Sequence, residues 1–196
     1  NREKFIEAQE PKHFAISLAG EPTIYPFLAG LIKELRKRKK TTFLVTNGLN
    51  PSRLLELVKK DALPTQLYVS MNAPNEKLYK EICRPIIKNA WEKYNKTLSL
   101  LKKIPTRKVL RLTLVRDLNM KNEMVEGYAK LIKKASPDFV EVKAFISVGF
   151  ARKRLAYERM PSHAEIKEFA KKISFLTKHK ILDEKIDSRI VLLGKN

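Results

Sequence analysis

Phe14-Ala15-Ile16-Ser17-Leu18-Ala19-Gly20-Glu21-Pro22-Thr23 joins a short apolar run to a small residue, a glycine, a carboxylate and a proline. The run has the length of a buried strand, and the Gly-Glu-Pro after it ends the strand. Phe27, Leu28, Leu31, Ile32 and Leu35 then recur at helical spacing. The stretch therefore predicts a strand, a turn and a helix. In α/β folds such a turn lies at the carboxyl end of its strand, where ligands bind. Gly20 lets the backbone approach a ligand or take a positive φ. Glu21 offers only acceptors, which suits an ammonium group, and Pro22 fixes the exit of the chain. An exposed glutamate in an ordinary turn satisfies the same tripeptide.

The alternation continues along the chain. Strands are expected at Phe14 to Leu18, Thr42 to Val45, Gln66 to Met71, Val109 to Val115, Phe139 to Ile146 and Arg189 to Leu193. Their β-branched and aromatic content and flanking turn residues carry this reading. Helices are expected from Pro26 to Arg38, after Pro51-Ser52, from Glu76 to Cys83, along Trp91, Tyr94, Leu98 and Leu101, along Met124 to Ile132, and after an N-cap at Ser162. Asn1 to Glu10 reads as a short helix or a linker. Repeated strand-helix units imply one domain, residues 1–196, with a parallel sheet wrapped by helices.

With 196 residues and 43% hydrophobic content, the chain can build one sizeable core. No apolar run approaches the roughly 18 residues of a membrane span. Cys83 is the single cysteine, which excludes a disulfide scaffold or an all-cysteine metal site built from this chain alone. The three histidines show no metal-ligand spacing. A net charge of +20 favours polyanionic partners, nucleic acid first among them, and is too lopsided for balanced surface ion pairs.

Two cations stand within strands. Arg111 lies among apolar neighbours, and Lys143 shares a face with Glu141 by period two. A buried cation costs several kcal/mol unless it is paired or faces a polar cavity. A Glu141–Lys143 ion pair and a functional cation are both open, and a deprotonated lysine could form a Schiff base.

Ser17-Leu18-Ala19-Gly20-Glu21-Pro22-Thr23-Ile24-Tyr25-Pro26 resembles the Gly-Gly-Glu-Pro segment of radical S-adenosylmethionine enzymes, with Ala19 at the first glycine. Its extended form resembles the tRNA wybutosine-synthesising members, the 4-demethylwyosine synthases. The likeness continues through Thr41-Thr42-Phe43-Leu44-Val45-Thr46-Asn47-Gly48, Leu63-Pro64-Thr65-Gln66-Leu67-Tyr68-Val69-Ser70, Arg111-Leu112-Thr113-Leu114-Val115 and Glu141-Val142-Lys143-Ala144-Phe145.

The resemblance implies a partial (β/α) parallel barrel rather than a flat doubly wound sheet. It also implies S-adenosylmethionine and a 4Fe-4S cluster as cofactors. The family's C-x3-C-x2-C cluster loop is absent, so this chain is expected to be the larger C-terminal part of the barrel, with the cluster's cysteines elsewhere. The implied reaction condenses N1-methylguanosine of tRNA-Phe with two carbons of pyruvate into 4-demethylwyosine, using a 5′-deoxyadenosyl radical. A cytoplasmic monomer that grips the anticodon stem-loop is expected.

By the same resemblance Glu21 would bind the methionine amino group, with Gly20 and Pro22 shaping the turn. Thr46 and Asn47 could bond the carboxylate or ribose, with Ser70 and Asn72 in the corresponding place one strand later. Arg111 or Lys143 would neutralise a carboxylate, Lys143 nearest pyruvate. Arg152, Lys153 and Arg154 would contact tRNA phosphates. Two alternatives remain: a non-catalytic RNA-binding domain, and a lysine Schiff-base enzyme of aldolase type without iron.

Overall fold

The computed structural model describes residues 2–195. A seven-stranded sheet runs in the order β1-β2-β3-β4-β5-β7-β6. Strands β1 (His13–Ile16), β2 (Thr41–Thr46), β3 (Gln66–Met71), β4 (Arg107–Leu114) and β5 (Phe139–Ala144) are parallel neighbours. Between them lie α2 (Leu28–Lys37), α3 (Pro51–Lys59), α4 (Glu76–Cys83), α5 (Ala90–Leu101) and α6 (Val125–Ala135). A helix α1 (Arg2–Gln9) precedes the sheet, with no buried residue. Asn1 lies outside the described residues.

Local chemistry sets the helix starts. Asn50 and Asn75 cap α3 and α4 by accepting from Arg53 N and Leu78 N. The expected cap at Ser162 opens α7 (His163–Thr177) as a full capping box with Glu165.

The two faces of the sheet differ in chemistry. Leu44, Leu67, Val69, Leu110, Leu112, Leu114, Val140 and Val142 pack with the helices in one core, each 1% exposed or less. Burial of each large side chain contributes about 1.5–3 kcal/mol. The alternate positions carry Tyr68, Ser70, Arg111, Thr113, Glu141 and Lys143. Parallel sheets covered on both faces read as apolar throughout. Polar residues on the second face mark the interior of a half-barrel with no second helix layer among the described residues.

The carboxyl-terminal part departs from the all-parallel expectation. Strand β6 (Lys180–Lys185) was not anticipated, and β7 (Ile190–Gly194) runs antiparallel to both β5 and β6. The β6-β7 hairpin turns through Arg189, whose φ is +51°. The result is a mostly parallel open sheet, closed off at one side by a hairpin.

Candidate active site

The carboxyl ends of the first three strands form the floor of a cleft of about 710 Å³, lined by Glu21, Asn47, Ser70 and Asn72 among others. Glu21 caps a 3-10 turn, Pro22–Ile24, with Pro22 at its first position. Its Oε1 accepts from Thr23 N at 3.1 Å, Thr23 Oγ1 at 2.7 Å and Thr46 Oγ1 at 2.6 Å. Its Oε2 accepts from Asn47 N at 2.7 Å. Four donors from two strand ends fix the carboxylate, and Oε2 keeps a lone pair open.

The other expected residues divide into those that line the cleft and those that build it. Thr46 is 2% exposed, and its hydroxyl donates to Glu21 while accepting from Gly48 N. It therefore positions Glu21 instead of facing the cleft. Asn47 Oδ1 accepts from Leu49 N, and its Nδ2 has no partner among the described residues. The Ser70 hydroxyl likewise has none. Asn72 Nδ2 reaches Cys83 Sγ at 3.7 Å. Gly20 takes φ +83° in the turn, with nothing within 4 Å of an added Cβ. The Trp/Tyr stripe of α5 is core, as expected. Tyr94 OH donates to Ser70 O and Thr97 Oγ1 to Gly48 O, so α5 braces both strand ends from behind.

The end of α4 supplies a wall that sequence reasoning missed: Tyr79, Cys83, Arg84, Ile86 and Ile87. Burial raises the Tyr79 hydroxyl and the Cys83 thiol above their ordinary pKa values. A thiol held protonated is a poor nucleophile, so Cys83 is a packing residue here. No sequence signal marks this wall beyond the Arg84-Pro85 break after the helix.

On the inner face, Arg111 Nε donates to Glu141 Oε1 at 2.8 Å, and Tyr68 OH donates to Glu141 Oε2 at 3.2 Å. The guanidinium also sits 4.6 Å from the Tyr68 ring centroid. Burial, then the Glu141 carboxylate, pushes the Tyr68 phenol up to about 12. The alternative of a Glu141–Lys143 pair is not formed. Glu141 lies directly opposite Arg111 in the β4–β5 register, and Lys143 opposite Thr113. Lys143 is half-buried with no hydrogen-bond or ion-pair partner among the described residues.

The loop after β5 carries the three expected cations, all exposed. Arg152 Nε donates to Ser147 O at 2.9 Å, and Lys153 Nζ stands 5.3 Å from the Phe150 ring centroid. Arg154 Nη2 donates to Ile82 O at 3.2 Å, which ties this loop to the end of α4.

This fold, with a Gly-Glu-Pro turn at the first strand end, defines a class, and residues 2–132 match the Radical SAM superfamily. The chain belongs to that superfamily, and membership implies S-adenosylmethionine and an iron–sulfur cluster. Residues 134–195 match the family described as Wyosine base formation. The chain is 50% identical over 197 residues to the S-adenosyl-L-methionine-dependent tRNA 4-demethylwyosine synthase of Pyrococcus abyssi, covering 100% of this chain and 57% of that protein. It is 41% identical to the Methanocaldococcus jannaschii protein of the same name, covering 97% and 58%. A solved structure described as TYW1 with a lysine-pyruvate adduct bound superposes with a TM-score of 0.88 at 38% identity, covering 100% of this chain and 60% of that one. The chain thus spans about three fifths of the relatives it matches.

The residues present fit S-adenosylmethionine: an anchored carboxylate, two unpartnered donors and the half-apolar flank of Tyr79 and Cys83 meet in one cleft. They do not fit the cluster, because one cysteine cannot supply a three-cysteine loop.

Proposed function

We propose that this chain forms the cofactor pocket and the substrate-facing interior of a tRNA-modifying radical enzyme. The reaction condenses N1-methylguanosine of tRNA-Phe with pyruvate to give 4-demethylwyosine. One observation carries the reading: a single continuous sheet in which β1 to β4 fall in the radical SAM match and β5 to β7 in the wyosine match. Cofactor-side and substrate-side residues thereby share one interior.

In this reading bound S-adenosylmethionine would supply the radical chemistry, and the cysteines of a 4Fe-4S cluster would lie outside this chain. The chain's own residues bind and orient. Glu21 Oε2 accepts from the methionine amino group, and Gly20 and Pro22 shape the turn that presents it. Asn47 Nδ2, the Ser70 hydroxyl and Asn72 serve the carboxylate and ribose. The unpartnered Lys143 sets positive charge on the inner face, where pyruvate's carboxylate would lie, while Arg111, paired with Glu141, offers its remaining guanidinium N–H groups. Arg152, Lys153 and Arg154 take phosphates of the anticodon stem-loop. The protein acts as a cytoplasmic monomer.

Glu21→Gln in the intact native polypeptide tests this reading. Loss of a charge-assisted hydrogen bond of about 1.5–3 kcal/mol weakens S-adenosylmethionine binding at least tenfold. Affinity for tRNA stays as in the parent. Unchanged cofactor affinity would remove Glu21 from the site.

A further inference from the structure

The segment between α4 and α5 forms a cationic, apolar-tipped prong. Arg84 (φ +44°) and Asn89 (φ +56°) bracket it, both non-glycine residues in the left-handed region. Such conformations cost about 1 kcal/mol each and persist where the surroundings demand them. Pro85 fixes a further φ between them. The tip is Ile86, fully exposed at 101%, with Ile87 beside it at 40%.

An isoleucine held wholly in water contributes nothing to the core. Around it, Arg84, Lys88, Lys93 and Lys96 are exposed and have no ion-pair partner among the described residues. Lys80 is paired with Glu76. Over Glu76 to Lys96 the sequence holds six cations against three carboxylates. The prong overhangs the site, because Arg84, Pro85, Ile86 and Ile87 line the same cleft as Glu21 and Asn47.

We infer that this prong is an RNA wedge: Ile86 enters the base stack beside the target guanine, and Arg84, Lys88 and Lys93 take the flanking phosphates. The inference rests on the tRNA-modifying reading above. Chemistry on a base requires it to leave the stack, and apolar side chains inserted between bases are a general means of opening one. The surrounding positive charge selects a polyanion over an apolar protein partner.

The test uses the native polypeptide and an anticodon stem-loop RNA carrying 2-aminopurine next to the target guanosine. Unstacking raises the probe's fluorescence, and anisotropy reports affinity separately. Ile86→Ala should lose most of the fluorescence rise at saturating protein, with affinity reduced less than about tenfold. Ile86→Leu should restore the rise, and neither change touches the buried core. Lys88→Gln with Lys93→Gln should keep the rise at saturation but lower the salt slope of binding by about 1.4. A full rise with Ile86→Ala overturns the wedge while leaving the tRNA reading standing. Absence of RNA binding by the parent protein overturns both.

Discussion

Arg111 and Glu141 face each other across β4 and β5 and are joined at 2.8 Å, with side chains 27% and 11% exposed. Tyr68 holds the second carboxylate oxygen from the next strand. The three side chains form a polar brace across three strands, on a face that no helix of the described residues covers. Glu141→Leu strands a half-buried guanidinium and should cost about 2–3 kcal/mol in denaturant unfolding. The double variant Arg111→Met with Glu141→Leu should recover much of that loss. Equal destabilisation by the single and double variants would show that the two residues do not act as a pair.

The glycine turns predict different costs for one substitution. Gly48 has φ +75°, and an added Cβ would meet Tyr94 at 3.1 Å and Val69 at 3.2 Å. Gly20 has φ +83° but open space around it. Gly20→Ala should cost about 1 kcal/mol from conformation alone. Gly48→Ala should cost more and also disturb Thr46 and Asn47, weakening S-adenosylmethionine binding. Thermal unfolding and equilibrium dialysis of both variants check the ranking.

Thr46→Val removes one of the four donors that fix Glu21. With the carboxylate less constrained, cofactor affinity should fall about tenfold, the equivalent of one hydrogen bond. Thr46→Ser should restore it. A loss of stability without a change in affinity would reduce Thr46 to a packing residue.

Glu165 gives a pH dependence of known sign. The Arg116 hydrogen bond, helped by Ser162, holds its carboxyl at about 2 against an ordinary 4.5. The folded state therefore binds this proton more weakly than the unfolded chain. The stabilisation is full above pH 4.5 and is lost as pH falls towards 2. Arg116 also donates to Glu158 O and Arg159 O accepts from Arg116 N, so the same residue anchors the loop bearing Arg152 to Arg154. Glu165→Gln should flatten the fall in Tm across that acid window, and the parent slope should steepen there.

Much of this molecule was legible because β3, β4 and β5 alternate cleanly, so the faces of Arg111, Glu141 and Lys143 followed from parity. The partner of Glu141 was not legible. Residues two apart on one strand share a face, but a directly opposed cross-strand residue stands closer, about 5 Å between Cβ atoms. Register decides that choice, and register is a tertiary property. Strand β6 was hidden because Lys180, Ile181, Leu182, Asp183 and Lys185 are all exposed at the sheet edge, so no burial imposes an alternation. The α4 wall was hidden because the left-handed Arg84 and Asn89 leave no sequence signature.

Lys143 separates two roles that the inner face permits. Its Nζ has no partner among the described residues, whereas Arg111 is held by Glu141. As a cation facing a carboxylate, Lys143 should be replaced tolerably by Arg, while Lys143→Gln raises the KM for pyruvate at least tenfold. As a Schiff-base nucleophile it should tolerate neither change, because a guanidinium forms no imine with pyruvate. Borohydride reduction with pyruvate, followed by peptide mass mapping, gives an independent reading. Half-buried on the inner face with no partner among the described residues, Lys143 is assigned the cation role: activity retained in Lys143→Arg, and no reduced adduct on the peptide that contains residue 143. A pyruvate-derived mass on that peptide would reverse the assignment and make Lys143 the covalent residue.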